Sequence, residues 1–73
     1  MVEVFKTNVQ DVQHANFLLD QIHQSFRGYK ANFDLEDCDK ILRIALTKEM
    51  VDAASIINLL QKNGYKAEIL PDM

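Results

Sequence analysis

The chain has a single cysteine, a single proline, two glycines and no tryptophan. Cys38 on its own cannot form an internal disulfide. Gly28 and Gly64 stand far apart, which leaves no glycine-rich phosphate loop. Pro71 sits near the end, and no proline-rich linker or low-complexity segment divides the chain. Positive charge is also scarce. Eight Lys and Arg residues are scattered against eleven Asp and Glu, giving a net charge of −3. A nucleic-acid binder would gather a basic patch to neutralise phosphates, so neither nucleic acid nor an anionic membrane surface is an expected partner. No apolar run approaches the roughly 18 residues of a membrane span. The opening Met-Val-Glu-Val-Phe lacks the basic and apolar regions of a signal peptide. Together these absences predict a cytoplasmic protein.

What is present is 48% hydrophobic and 26% charged residues over 73 positions, which predicts one domain, 1–73. A chain of this size buries only about 60% of its unfolded surface. It can build one sheet-on-helix core, with no room for a deep catalytic cleft besides.

The patterning supplies six elements. Residues 2–5, Val-Glu-Val-Phe, read as a strand. Thr7 or Asn8 then suits a helix cap, with Gln10 or Asp11 as the capping-box partner. Val12, Ala15, Leu18, Leu19, Ile22 and Phe26 fall within one arc of about 120°, an amphipathic helix closed by Gly28. Tyr29, Ala31, Phe33 and Leu35 alternate with polar residues, as do Leu42, Ile44 and Leu46. These runs, 29–35 and 40–46, predict a hairpin around the polar turn Glu36-Asp37-Cys38-Asp39. Residues 47–63 predict a second helix with Ala53, Ile56, Ile57 and Leu60 as its stripe, ended by Gly64. A last strand, 65–70, is stopped by Pro71. The order β-α-β-β-α-β predicts an α+β, ferredoxin-like sandwich: a four-stranded antiparallel sheet with two helices on one face.

Fold alone does not decide function. "SIINLLQKNGYKAEIL" (55–70) is similar to the second helix and last strand of the heavy-metal-associated domain family, to which copper chaperones belong. "FRGYKANFDLEDCDKILRI" (26–44) resembles that family's central hairpin. The resemblance covers nearly the whole chain. It implies that the first loop and helix should carry a Gly-Met-x-Cys-x-x-Cys motif, whose thiolates grip a soft metal. Aligned by Ala15, Leu18 and Ile22, Asn8 stands at the Gly and Val9 at the buried Met. Asp11 and His14 stand at the two cysteines. Neither thiolate is present. Cys38 is expected in the hairpin turn, at the opposite end of the sheet from this loop.

Several side chains are candidate sites. Asp11 and His14, three residues apart, offer a carboxylate and an imidazole to a divalent transition metal such as Zn(II), Ni(II) or Cu(II). Zinc takes three or four protein ligands, so such a site would need completion by a second copy. The alternative is a helix start, where an Asp is stabilised by about 0.3–1 kcal/mol without any metal. Asp34, Glu36, Asp37 and Asp39 crowd the hairpin turn without calcium-loop spacing, and they read as solvated. Cys38, flanked by two aspartates, is expected to be inert. Phe17 projects opposite the apolar stripe among glutamines and could anchor a protein partner. Scattered exposed apolar residues are also ordinary. The family resemblance adds Gly64-Tyr65 and the first loop to that docking surface. On the outer sheet face, Phe5 beside Ile41, Arg43 and Ala45 is too little for base stacking. Ile41, Ala45 and Leu70 could instead support self-association.

No nucleophile–base pair or complete metal shell is visible. The expectation is a non-enzymatic interaction module without cofactor, binding a protein partner or itself through Phe17 and Tyr65. The alternative is a metal carrier using Asp11 and His14.

Overall fold

The computed structural model describes residues 2–46 and 50–70. Six elements follow one another: β1 (Val2–Thr7), α1 (Val12–Ser25), β2 (Lys30–Asp34), β3 (Ile41–Ala45), α2 (Ala53–Lys62) and β4 (Ala67–Ile69). The strands form one sheet in the order β2-β3-β1-β4, and every neighbouring pair is antiparallel. The protein is therefore α+β, with β1 and β3 central and β2 and β4 at the edges.

Register decides which side chains share a face. Phe5 lies opposite both Leu42 and Ile69, and Leu42 lies opposite Phe33. Because side chains alternate along a strand, Phe5, Thr7, Ala31, Phe33, Leu42, Ile44 and Ala67 all point to one side. Phe5, Leu42, Ile44 and Ala67 join Ala15, Leu18 and Ile22 of α1 and Ile56 and Leu60 of α2 in one buried cluster. Both helices thus pack on the same face. The opposite face carries Val2, Val4 and Lys6 on β1, Lys30, Asn32 and Asp34 on β2, Ile41, Arg43 and Ala45 on β3, and Glu68 on β4. It bears no aromatic residue among those described. Phe5, expected on that face, is fully buried on the other. Ile41, expected to support association through the face, is only 5% exposed in its own chain.

The elements begin and end for identifiable reasons. The α1 cap is neither Thr7 nor Asn8. Asp11 caps it, with Oδ1 accepting from the Gln13 N–H at 2.7 Å. Thr7 has another task. It is the last residue of β1, buried, and its hydroxyl donates to the Lys40 carbonyl at 2.6 Å while accepting from the Val9 N–H. Its own N–H donates to the Asp39 carbonyl at 3.1 Å. These bonds fasten the β2–β3 turn at Lys40, which holds a left-handed φ of 49°.

The second helix starts at Ala53, after Met50, Val51 and Asp52, which were expected within it. Asp52 is its cap, accepting from both the N–H and the hydroxyl of Ser55. The expected first turn at 47–49, like the stop at Pro71, lies outside the described residues. Gly64, with φ of 86°, closes α2 by a Schellman arrangement. In it the Tyr65 N–H donates to the Leu60 carbonyl and the Gly64 N–H to the Gln61 carbonyl. β4 is shorter than the expected 65–70, because Tyr65 and Lys66 are taken up by this exit from the helix.

Candidate functional site

The first loop and α1 meet the α2–β4 connection along a seam. Asn8 Oδ1 accepts from the Lys66 N–H at 2.8 Å. The His14 ring lies 5.9 Å from that of Tyr65, tilted by 52°. Gln21 and Asn63 exchange amide hydrogen bonds of 3.0 and 3.4 Å, and Asn63 also donates to the Leu59 carbonyl at 2.8 Å. All but the bond to Leu59 span a large sequence separation. The Schellman bond to Leu60 is what aims Tyr65 back toward α1, and its half-buried ring packs against the core.

Phe17 is one turn beyond His14 and one turn before Gln21, on the same flank of α1. It is 54% exposed, as its helical position implies. The two expected partner-surface residues, Phe17 and Tyr65, therefore stand on either side of His14. His14 is the residue that sequence reasoning assigned to metal instead. Its contact with Tyr65 depends on a loop more than 50 residues away in the chain, and no local signal announces it.

Asp11 does not share that surface role. One of its carboxylate oxygens is engaged by the helix it begins. Among the described residues, the group of three or more His, Cys, Asp or Glu side chains whose ligand atoms lie within 4.8 Å of one another is Asp37, Cys38 and Asp39. Neither Asp11 nor His14 belongs to it. The three-residue group serves its own turn: Asp37 Oδ1 accepts from the Asp39 N–H at 2.9 Å, and Asp39 lies 3.9 Å from the Lys6 ammonium. Cys38 is exposed. The turn is not at the opposite end of the sheet from the first loop, as expected. Antiparallel pairing of β1 with β3 brings the end of β1 beside the start of β3, so the bonds from Thr7 to Asp39 and Lys40 place both loops at one end.

The other flank of α1 is different. Val12, Asn16, Leu19 and His23 recur at helical spacing and face β2. There Val12, Asn16 and Leu19 line, with Phe33 and Leu35, a groove of about 490 Å³. Val12 is 64% exposed. His23, not singled out from sequence, lies one turn further along this flank, and its Nε2 accepts from the Ala31 N–H at 3.2 Å.

Comparison of the chain with protein-family models, with curated proteins and with solved structures yields no match.

Proposed function

We propose that this chain is a ferredoxin-like, non-enzymatic interaction module. In this reading it is related to heavy-metal-associated domains, has no metal thiolates, and docks a protein partner through Phe17, His14 and Tyr65. The observation that carries the reading is the His14–Tyr65 ring contact beside an exposed Phe17. It makes one apolar and aromatic strip from two elements distant in sequence, and aromatic side chains supply much of the binding energy at interfaces. The family resemblance gains support from Val9, which is fully buried where that family buries a Met. The strand order β2-β3-β1-β4 is that of a ferredoxin-like sheet. An outer sheet face without aromatics among the described residues, together with a net charge of −3, speaks against nucleic acid.

The metal-carrier alternative through Asp11 and His14 has less behind it. Asp11 Oδ1 is engaged by the α1 cap, and the His14 ring lies against Tyr65.

The test is quantitative capture from extract of the source cells on immobilised wild-type protein, Phe17→Ala and the control Gln24→Ala. Proteins retained by wild type and Gln24→Ala but depleted at least about tenfold on Phe17→Ala support the surface, since an interface anchor is worth more than 1 kcal/mol. Equal recovery on all three, or no specific recovery on any, overturns it.

A further inference from the structure

We propose that a second copy of this chain docks on the open edge of β2, joining two sheets antiparallel about a twofold axis. This surface is separate from the Phe17 strip. β2 is paired with β3 on one side only. The Ala31 N–H reaches His23 Nε2, so it points away from β3. Alternation then turns the N–H and C=O of Phe33 outward as well, and leaves Lys30, Asn32 and Asp34 bonded toward β3.

The sequence of this strand, Lys-Ala-Asn-Phe-Asp, reads positive, apolar, polar, apolar, negative. Laid antiparallel on itself with Asn32 at the axis, it places Ala31 opposite Phe33 of the second copy as a hydrogen-bonded pair. It also places Lys30 opposite Asp34 twice, in the closer non-hydrogen-bonded positions. Opposite charges directly across an antiparallel pair attract, and like charges repel. A parallel pairing in the same register would set Lys30 against Lys30 and Asp34 against Asp34. The strand's charges thus specify an orientation. Among the described residues Lys30 has no ion-pair partner within its own chain, whereas Asp34 lies 3.9 Å from Arg43.

The other edge lacks this property. β4 is Ala-Glu-Ile, and antiparallel self-pairing about its centre would set Glu68 against Glu68.

The layer above the sheet accommodates the same arrangement. Strands lie about 4.8 Å apart and packed helices 8–10 Å apart, so one helix covers two strands. Extending the sheet through β2 brings the α1 helices of the two copies side by side. Their facing flanks would be Val12, Asn16 and Leu19, the apolar groove now open to solvent. The His23 bond to Ala31 occupies the N–H that the second copy would need. It therefore competes with dimerisation.

The experiment is sedimentation equilibrium of the full chain over a wide concentration range at low ionic strength. Wild type should show a reversible monomer–dimer equilibrium. Lys30→Asp alone, or Asp34→Lys alone, replaces two attractive pairs by two repulsive ones and should weaken the dimer by about tenfold or more. An equimolar mixture of these two variants re-creates opposite charges at both positions and should dimerise as wild type does, a result no folding defect can produce. His23→Ala should tighten the dimer several-fold. A wild-type chain that stays monomeric throughout overturns the proposal. So does a dimer indifferent to both charge reversals, or a mixture that fails to recover.

Discussion

Along the flank of α1 that faces the α2–β4 connection, His14 lies against Tyr65 and Gln21 is bonded twice to Asn63. Along the flank that faces β2, His23 alone reaches across by a hydrogen bond among the described residues, and a groove lies open beside it. A helix of 14 residues thus has one side stitched to its neighbours and one side left accessible. The stitched side is where α1 side chains meet the side chains of Asn63 and Tyr65 at the exit from α2. The open side is where the sheet stops at an edge strand. The difference teaches where stability resides: removing a group that bridges α1 to the α2–β4 connection should unfold the chain more readily, and removing one from the groove should leave it folded.

Leucine truncation is the strongest way to break that contrast. Leu60, fully buried beneath α2, should cost about 2–5 kcal/mol on Leu60→Ala, from lost transfer energy and the cavity left behind. Leu19, half-buried at the groove, opens to solvent instead of forming a closed cavity. Leu19→Ala should cost about 1 kcal/mol. Urea unfolding of both variants reads the difference. Equal losses would mean that the groove is core in all but shape, and the contrast would fail. A loss at the upper end of the Leu60 range would leave a domain this small mostly unfolded.

The order of elements was legible in the sequence because hydrophobic periodicity reports the two repeats directly, 3.6 for helices and 2 for strands. Of the expected α1 stripe, Ala15, Leu18 and Ile22 are buried and Leu19 and Phe26 half-buried, whereas Val12, in the first turn, is exposed; Phe17 is exposed as its helical position requires. Element ends were less legible. Thr7, Asn8 and Asp11 can all cap a helix chemically. Which one does so depends on Thr7 being held by the Lys40 carbonyl, 33 residues away. Strand faces were ambiguous where apolar residues sit on both. In β1, Val2 and Val4 share a face with Lys6, while Phe5 carries the buried one. Periodicity within six residues cannot decide between them; pairing with Leu42 does. The candidate surface was half legible. Phe17 follows from the helical wheel, but the approach of Tyr65 to His14, and of His23 to Ala31, is tertiary and leaves no local trace. The nearness of the Cys38 turn to the first loop follows from antiparallel pairing of β1 with β3, a step that topology contains and the notion of a distant hairpin turn overlooked.

A smaller effect sharpens the stitched side. Gln21→Ala and Asn63→Ala each remove the amide pair, and Asn63→Ala also removes the bond to the Leu59 carbonyl. Net contributions of about 0.5–1.5 kcal/mol per bond make Asn63→Ala the more damaging. A double-mutant cycle isolates the pair, with an expected coupling of about 0.5 kcal/mol or more. Additive losses would show that the two amides lie together without holding the helices together.

The smallest effect belongs to the open side. His23 is exposed, and its one bond to Ala31 spans only eight residues. Water can replace the imidazole at once, so His23→Ala should change global stability by only a few tenths of a kcal/mol. The local signature is larger than the global one. The Ala31 amide is the outward N–H at the start of β2, and the imidazole is its partner. In the variant its hydrogen exchange should speed up in dilute monomer, while the Asn32 amide, turned toward β3, exchanges as before. Equal acceleration at both amides would mean that His23 holds the whole strand in place, and β2 would then be as stitched as the other side. Acceleration confined to Ala31 leaves an edge that is intact, folded and closed by one replaceable side chain.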